Sequence, residues 1–423
     1  MAGMQRLIFH IDVNSAFLSW TAVERLKNGA TEDIREMEAI IGGDQQSRHG
    51  VVLAKSVPAK KYGIRTGEPV ANAFRKCPNL ITFPPNHKMY QEYSHQLMEY
   101  LMTYTPDIEQ VSVDECFMDF TGIAKQFISP VDAALEIKNN IKEKFGFTVN
   151  IGISTNKLLA KMASDFEKPD KVHTLFPEEI RVKMWPLPVG ELYMAGKSSV
   201  ETLKKLEIRT IGDLAQADPQ ILELHLKSHG RKLWEFANGL GDARVETEKT
   251  EAKGIGNSTT LSKDVVTEEE AKEVLLRLAE SVGRRLRNAG QKAGMVSVEI
   301  KYSDFSTCSH QKQLQRSTNS DQLIYNTAIG LFQELWNQSP VRLLGIRTSK
   351  LVEESEPEQL TIFDIQNETK ERKNTMLHTK KHEELDKALD KIRQKYGNEA
   401  VVRGGQYGNK ERNEKNHPVL QGD

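Results

Sequence analysis

The sequence predicts a multidomain protein of the α+β class. Its 423 residues, 38% hydrophobic and 28% charged, are enough for several cores of ordinary domain size. Apolar periodicities of the strand and helix types alternate through the first part of the chain. A charged stretch at residues 242–253, poor in large apolar side chains, then precedes a second set of strands and helices. We therefore expect at least two folded units.

The first strand is predicted at residues 7–13, where apolar side chains on both faces are typical of a strand in the middle of a sheet. Asp12 is expected near its end. Residues 15–26 suit a helix, and the following stretch as far as Pro85 is broken into short segments by glycine and proline. We expect a small insert there.

An acidic pair marks the next predicted sheet element. A helix at residues 87–103 leads to residues 109–120, whose β-branched and aromatic content predicts a hairpin with Asp114 and Glu115 near its bend. The pattern then predicts a helix at 131–145, a strand at 148–153 and a helix at 154–163.

The remaining chain is predicted to hold short helices, a second sheet and a tail. Residues 192–240 suggest mostly short helices. Beyond the charged stretch we expect an antiparallel sheet with helices, formed by a helix at 268–288, a strand at 295–302, a helix at 321–337 and a strand at 342–352. After residue 353 the chain is polar, which predicts a mostly flexible tail with one helix at 382–396.

Composition argues against several classes of protein. A net charge of -1 argues against coating nucleic acid through global positive charge, although a basic groove is compatible with it. Cys77, Cys116 and Cys308 form neither a CxxC pair nor a zinc spacing, so we expect reduced thiols. No apolar stretch approaches the roughly 20 residues that span a bilayer, and a secretory signal is not evident. We expect a cytoplasmic monomer with no membrane contact.

Three acids occur in predicted strand contexts: Asp12, Asp114 and Glu115. Carboxylates from separate strands can hold two divalent ions about 4 Å apart against a triphosphate, as nucleotidyl transfer requires. A lone acid at a strand end is more often a turn or cap residue, and nucleotide cyclases also place acids on adjacent strands. The acids alone leave these alternatives open.

Four segments decide among the alternatives. They are His10–Phe17 (HIDVNSAF), Ala54–Gly67 (AKSVPAKKYGIRTG), Ser112–Gly122 (SVDECFMDFTG) and Gly152–Asp170 (GISTNKLLAKMASDFEKPD). Their order and spacing resemble the Y-family DNA polymerases, in particular the bacterial DNA polymerase IV type, from residue 4 to about residue 363. The resemblance implies a ferredoxin-like palm with small fingers, a helical helix-hairpin-helix thumb and an α/β little-finger domain.

By this resemblance Asp12, Asp114 and Glu115 are the catalytic residues and hold two Mg²⁺ ions, with the backbone carbonyl of Val13 as a further ligand. The implied reaction is template-directed, with in-line attack of the primer 3′-oxygen on the α-phosphate of a dNTP and release of pyrophosphate. One ion would lower the pKa of the hydroxyl, and the other would neutralise the leaving group. The family further implies low fidelity and lesion bypass.

The resemblance also implies substrate contacts. Phe17 aligns with the aromatic steric gate that excludes a 2′-hydroxyl, and the alternative is a phenylalanine of the core. Lys157 is expected to contact the triphosphate, together with free N–H groups at the start of its helix. Lys161, one turn later, is expected to be a solvated side chain.

The fingers depart from the family pattern. The tyrosine and arginine that usually contact the triphosphate align with Val57 and Lys60. Lys55 is expected to contribute a further contact to the triphosphate. Lysine lacks the bidentate fork of arginine, so weaker or differently arranged triphosphate binding is expected. Asn14 and Ala16 are further departures, and neither removes a metal ligand.

Domain boundaries follow from the same resemblance. In the thumb, the turn at Gly196 is expected to offer backbone N–H groups to a DNA phosphate, and the alternative is an ordinary helical hairpin with glycine as its C-cap. The boundaries are palm at 1–18 and 86–178, fingers at 19–85, thumb at 179–245, linker at 246–253, little finger at 254–352 and tail at 353–423.

The expected partners are primer-template DNA, dNTP and a sliding clamp. Gln359, Leu360, Ile362 and Phe363 belong to a QLTIF segment that resembles a clamp-binding peptide. An isolated apolar cluster of this kind can also fold back onto its own domain. The alternative function is a weakly active or non-catalytic DNA- and clamp-binding factor. It is motivated by Val57 and Lys60, and retention of the three acids argues against it.

Overall fold

The computed structural model describes residues 6–43, 50–248, 252–356, 384–397 and 400–401. The chain divides into two compact units, one ending at Lys249 and the other beginning at Thr250. In chain order the first unit contains β1 (Ile8–Val13), α1 (Ala16–Lys27), β2 (Ala39–Gly42), β3 (Val52–Lys55), α2 (Val57–Lys60), α3 (Val70–Lys76), β4 (Ile81–Phe83), α4 (His87–Met102), β5 (Ile108–Gln110), β6 (Glu115–Asp119), α5 (Pro130–Phe145), β7 (Val149–Ser154), α6 (Lys157–Asp165), β8 (Val172–Thr174), α7 (Lys197–Lys205), α8 (Ile211–Gln216), α9 (Pro219–Leu226) and α10 (Ser228–Ala237).

A five-stranded sheet forms the centre of the first unit. Its strand order is β5-β6-β1-β7-β8, and only the β7–β8 pair is parallel. The prediction of a central first strand is confirmed, because β1 pairs with β6 on one side and β7 on the other. The hairpin predicted around Asp114 and Glu115 is likewise confirmed as β5 and β6.

The two faces of β1 have different neighbours, as a two-residue period requires. Phe9 and Ile11 belong to the large core that includes residues of α4 and α5. On the opposite face, Ile8 packs against Ala160 of α6, and the His10 ring contacts Ser164 of the same helix. Asp12 lies on this second face, so α6 covers the side of the sheet that carries the acid.

Gly152 of β7 allows α6 to pack unusually close to the sheet. A Cβ atom at this position would lie 1.9 Å from the Ala160 carbonyl oxygen and 2.4 Å from the Ser164 nitrogen, both of which are backbone atoms. No side chain larger than hydrogen fits there without moving the helix. This glycine therefore sets the height of α6 above the acidic end of β1.

The insert between α1 and α4 is a small folded region. Its three strands have the order β3-β2-β4, and α2 and α3 pack with them around a separate small core. Helices α7–α10 form a further all-helical region with its own core, as the short apolar segments predict. Residues just after it pack back on the sheet, because Val245 contacts Ile8, Phe117 and Ala160.

The second unit is a four-stranded antiparallel sheet with two helices; an antiparallel sheet with two helices was predicted, with two of the four strands. It contains β9 (Gly254–Val265), α11 (Glu268–Asn288), β10 (Gln291–Tyr302), β11 (Thr307–Thr318), α12 (Asp321–Leu335) and β12 (Val341–Glu353). The strand order is β11-β10-β12-β9, and the helices share a core with the inner sheet face. Sequence periodicity missed β9 and β11, which are edge strands with many polar residues and are defined by main-chain pairing rather than by an apolar face.

A helix at residues 384–396 packs on the second unit, in nearly the range predicted for the one helix of the tail. Its Asp386 is 1% exposed. Arg287 of α11 lies between that carboxylate, Asp321 and Asp390. The helix therefore docks through charged residues, a contact that hydrophobic patterning does not predict.

Candidate active site

The ends of β1 and β6 bring two acidic residues together. Asp12 and Glu115 are directly paired across the antiparallel strands, so their side chains leave the same face of the sheet. Asp114 immediately precedes β6, and its carbonyl accepts a hydrogen bond of 2.9 Å from the Val13 N–H. The main chain thus places the three acids at one end of the central strands.

Lysine ammonium groups engage both paired acids. Lys168 Nζ lies 2.5 Å from Asp12 Oδ2. Lys161 Nζ lies 2.6 Å from Glu115 Oε2. Carboxylates that face each other directly across a sheet repel, and these ammonium groups supply the opposite charge that offsets the repulsion.

The expectation that Lys161 is a solvated side chain is wrong. Its side chain is only 17% exposed, because it extends from α6 to Glu115. Its ammonium also lies 5.7 Å from the centre of the Tyr193 ring. Spacing along the helix places Lys161 one turn after Lys157, but it contains no information on which carboxylate the helix crosses.

His10 is a buried neighbour of Glu115. Its Nδ1 lies 2.7 Å from Ser164 Oγ, and its Nε2 lies 3.3 Å from Glu115 Oε2. The His10 ring, with Lys161, holds the pKa of Glu115 at about 2, so this carboxylate is ionised at neutral pH. Burial raises the pKa of Asp12, and Lys168 opposes that shift. The two paired acids therefore sit in different electrostatic environments.

The donor chemistry of the three acids suits hard divalent cations. They offer only oxygen ligands, which Mg²⁺ prefers, and two of them already attract cationic groups. Asp114 Oδ1 accepts a hydrogen bond of 2.6 Å from Ser112 Oγ. Within the described part of the chain, no three His, Cys, Asp or Glu side chains converge as a metal-binding group. Binding an ion here requires rearrangement at Asp12 and Asp114, whose carboxylates now contact Lys168 and Ser112.

Phe17 lies on α1, four residues beyond the end of β1. Its ring stacks on Tyr90 of α4, with the centroids 4.3 Å apart and the planes 7° from parallel. Tyr90 is itself buried, and its hydroxyl lies 3.1 Å from Thr21 Oγ1. Phe17 is half-buried against the main core, so it packs as a core residue does while part of its side chain remains accessible.

Two lysines of the small insert, Lys55 and Lys60, interact electrostatically. Lys55 Nζ donates a hydrogen bond of 3.2 Å to Thr66 Oγ1. Burial lowers the pKa of Lys55, and the neighbouring charge of Lys60 lowers it further. A pair of adjacent ammonium groups favours binding of an anion, since an anion relieves their repulsion. The two predicted lysines of the insert thus act on each other through their charges.

Lys157 is not brought to the acidic end of β1. It follows Ser154, which pairs with Ile8 at the opposite end of that strand. Its ammonium lies 2.9 Å from Glu109 Oε2, and its N–H donates to the Asp242 carbonyl at 2.9 Å. The expectation of free N–H groups at the start of α6 is therefore wrong at this residue.

Residues 239–246, which follow α10, contact Lys157 and its neighbours. Glu109 also accepts a hydrogen bond of 2.8 Å from the Glu246 N–H. Asn156 donates to the Gly239 carbonyl at 3.0 Å while its side chain caps α6 by accepting from Leu159 N–H. Lys157 thus belongs to the set of contacts that fastens the segment after α10 to the sheet.

Lys168 is the residue that sequence reasoning missed. It lies in the quoted GISTNKLLAKMASDFEKPD segment, three residues beyond the end of α6. Lys168 lies beyond the end of the helix, so helical periodicity predicts no partner for it. The sequence contains one signal, a lysine next to a proline and just after acidic residues. Only the fold, however, brings this lysine to Asp12.

Two further predictions have different outcomes. Gly196 is the N-cap of α7 rather than the C-cap of a helix, with φ -70° and ψ 165°, so the alternative of a C-cap glycine is wrong. Gln359, Leu360, Ile362 and Phe363 lie outside the described residues. None of the helices in the described ranges is long and apolar enough to cross a membrane.

Comparison with known proteins agrees with these features. Residues 11–165 match the model of the impB/mucB/samB family, and residues 252–362 match the C-terminal domain of the same family. A DNA polymerase IV of Clostridium acetobutylicum is 49% identical over 95% of this chain and 98% of its own length. The DNA polymerase IV 1 of Bacillus subtilis is 36% identical over 96% of this chain and 94% of its own.

A solved structure shares the fold. A Y-family DNA polymerase chimera superposes with a TM-score of 0.70 at 22% sequence identity and covers 82% of this chain and 99% of its own. The predicted class, an α+β fold of palm, fingers, thumb and little finger, is thereby confirmed. With identities of this size over nearly the whole chain, the protein belongs to the DNA polymerase IV type of the Y-family DNA polymerases.

Proposed function

We propose that this DNA-directed DNA polymerase adds deoxynucleotides to a primer by a two-metal mechanism and that it copies damaged templates. The observation that carries the proposal is the pairing of Asp12 with Glu115 on one face of the central strands, next to Asp114. Those residues are the proposed catalytic acids. The primer 3′-oxygen attacks the α-phosphate of the dNTP in line, and pyrophosphate leaves.

Asp12, Asp114 and Glu115 are the proposed ligands of two Mg²⁺ ions, with the Val13 carbonyl as an additional oxygen. When bound, the ions lower the pKa of the primer hydroxyl and neutralise charge on the pyrophosphate. The protein contributes an ionised carboxylate at Glu115, whose pKa is about 2, and a main chain that holds the acids side by side. A protein nucleophile is not required.

The triphosphate is proposed to lie between Lys168 and the lysine pair of the insert, Lys55 and Lys60. Lys168 lies at Asp12, whereas the ammonium of Lys157 is engaged by Glu109, which pairs with Phe117 of β6. We therefore propose Lys168 in the role first expected of Lys157. Because all three residues are lysines, their contacts act as point charges rather than bidentate forks.

Phe17 is the proposed steric gate. The stack on Tyr90 fixes the plane of its ring, and the accessible part of the side chain is proposed to meet the sugar of a nucleotide. A fixed ring leaves no space for a 2′-hydroxyl, so a deoxyribose is selected. Its packing against the core supports this role, because a gate has to resist displacement.

The regions are proposed to act as palm (1–18 and 86–178), fingers (19–85), thumb (179–245), linker (246–253), little finger (254–352) and tail (353–423). The small fingers, with a core of few residues, support loose enclosure of the nascent base pair and hence lesion bypass with low fidelity. The turn at Gly196 is proposed to contact a DNA phosphate through backbone N–H groups.

A sliding clamp is the proposed protein partner, bound through Gln359, Leu360, Ile362 and Phe363, and the polymerase is proposed to act as a monomer. This part of the proposal is supported by the QLTIF sequence alone, since the segment lies outside the described residues. Surface plasmon resonance with the purified clamp of the same organism tests it. Equal binding by the full chain and by a chain lacking residues 359–363 would exclude the peptide.

The experiment that tests the reaction is single-nucleotide primer extension with Mg²⁺, offering dNTP and rNTP separately. Wild type is expected to extend with dNTP, and Asp114→Ala to lose extension. Phe17→Ala should gain rNTP use by roughly 100-fold relative to dNTP, because the clash with the 2′-hydroxyl is removed. Templates that carry an abasic site test bypass with the same wild-type protein.

Absence of wild-type extension, despite tight primer-template binding, would favour the non-catalytic DNA- and clamp-binding alternative instead. The relatives do not favour that alternative. They are named DNA polymerase IV, and this chain matches them over nearly their whole length. A nucleotide cyclase is opposed by the second unit, whose sequence matches the C-terminal domain of the polymerase family.

A further inference from the structure

Lys161 belongs to a closed ring of polar contacts beneath the acidic end of the sheet. Its Nζ lies 2.6 Å from Glu115 Oε2, and that oxygen lies 3.3 Å from His10 Nε2. His10 Nδ1 lies 2.7 Å from Ser164 Oγ, which donates a hydrogen bond of 2.8 Å back to the Lys161 carbonyl. One turn of α6 and two strands are thereby joined through four residues.

The ring holds a single oxygen of Glu115. Lys161 and His10 both contact Oε2, and within the described chain the structure records no hydrogen-bond partner for Oε1. His10 and Ser164 are fully buried, so water does not replace their contacts. The rotation of the carboxylate is consequently determined from one side, and Oε1 is the oxygen left for a ligand.

Lys161 itself has little freedom to move away. Its side chain is largely buried, and the Tyr193 ring lies against its ammonium on a further side. Tyr193 in turn stacks on Phe236 of α10, with the ring centroids 6.2 Å apart. The lysine is therefore enclosed by the sheet, its own helix and the helical region that follows.

We propose that Lys161 is a positioning residue that orients Glu115 and limits its affinity for divalent ions. The proposal rests on the proposed role of Glu115 as a metal ligand. By holding Oε2, the ammonium directs Oε1 towards an ion, and by its charge it repels that ion. Lys161 thus weakens ion binding while it gives the Glu115 ligand a defined orientation.

The two effects of Lys161 predict changes of opposite sign. In Lys161→Met the repulsion is removed, so the dissociation constant for Mn²⁺ is expected to fall about threefold to tenfold. The carboxylate loses its orientation, so the extension rate at saturating Mg²⁺ is expected to fall about tenfold or more. Lys161→Arg keeps a cation on Oε2 and is expected to restore much of both values.

The experiment measures Mn²⁺ binding to the full chain by electron paramagnetic resonance of the free ion, and separately measures kcat and the half-saturating Mg²⁺ concentration in primer extension. Lys183→Met is a matched control, since it removes a lysine–glutamate pair of the same kind, with Glu179, elsewhere in the first unit. It is expected to leave ion binding and kcat unchanged.

Tighter Mn²⁺ binding together with slower extension in Lys161→Met supports the proposal. Unchanged ion binding, or weaker binding accompanied by a lower melting temperature, overturns it and leaves a structural role for the lysine. If wild type itself lacks Mg²⁺-dependent extension, the proposed function fails instead, so the two failures are distinguished by the wild-type protein alone.

Discussion

Individual residues differ in how far the sequence predicted their place in the site. Asp12, Asp114 and Glu115 were found together as expected, because strand alternation and a hairpin determine where their main chain runs. Lysines were predicted poorly. A lysine side chain reaches several ångströms in any direction, so its partner depends on which elements cross nearby, as Lys161 and Lys157 illustrate.

Removal of the Lys168 ammonium tests which lysine contacts the triphosphate. Lys168→Met is expected to raise the KM for dNTP roughly tenfold at saturating Mg²⁺, because one charge-assisted contact is lost. Steady-state primer extension measures this, with Lys157→Met as the comparison on the same segment. A larger rise in KM for Lys157→Met than for Lys168→Met would return the role to Lys157.

At the scale of elements, periodicity predicted those that have an apolar face. Helix α5 begins after a Ser129 cap and ends at Gly146, whose φ of 77° suits glycine, and the predicted helix has nearly the same limits. The exposed strand β11 was missed, because β10 recruits it through backbone hydrogen bonds that place no demand on its side chains.

The packing of α6 on β7 depends on a single hydrogen atom in the place of a side chain. Gly152→Ala would put a Cβ against two backbone atoms of α6, which cannot rotate away as a side chain can. We expect a loss of at least about 2 kcal/mol in the free energy of unfolding, at the upper part of the usual range for overpacking. Extension activity should fall as well, because α6 carries Lys161 and Ser164.

Urea unfolding of the full chain, followed by circular dichroism, measures the effect. Gly122→Ala is the matched control, since a Cβ there meets nothing within 4 Å and the backbone is not left-handed. Equal stability of the two variants would contradict the close approach of α6 to the sheet.

For the whole molecule, a net charge close to zero is compatible with buried clusters of opposite charges. The net charge of -1 arises from 58 basic and 59 acidic residues, and several pairs of opposite charge are buried. In the second unit, Arg287 is 4% exposed and contacts Asp321 at 2.8 Å and Asp390 at 2.6 Å. These pairs fasten the 384–396 helix to the unit; the helix itself was predicted, but its attachment through charged residues was not.

Loss of the Arg287 charge should destabilise the second unit selectively. Arg287→Met removes the cation that the carboxylates of this cluster share, which costs about 3 to 5 kcal/mol in comparable buried pairs. Hydrogen exchange with mass spectrometry is expected to report faster exchange in residues 384–396 and in α11, with little change in the first unit. Lys272→Met, which breaks the exposed pair with Glu268 on the same helix, is the control.

Unaltered exchange of the 384–396 helix in Arg287→Met would contradict its attachment through this cluster. Faster exchange in Lys272→Met of the same size would show that any change in α11 charge suffices. The contrast between the two variants isolates the buried arginine, since the exposed pair is screened by solvent and contributes little.

The sequence by itself determined the family, the place of the three acids in the strands, most helices and the central strands, because these depend on short motifs and on apolar periods of two and 3.6 residues. Tertiary structure alone decided which lysine lies at each carboxylate, that Phe17 stacks on Tyr90, and that a charged helix docks on the second unit. Such contacts join residues far apart in the chain. Which residues meet depends on how the elements cross and on close approaches such as that at Gly152, and local sequence patterns predict neither.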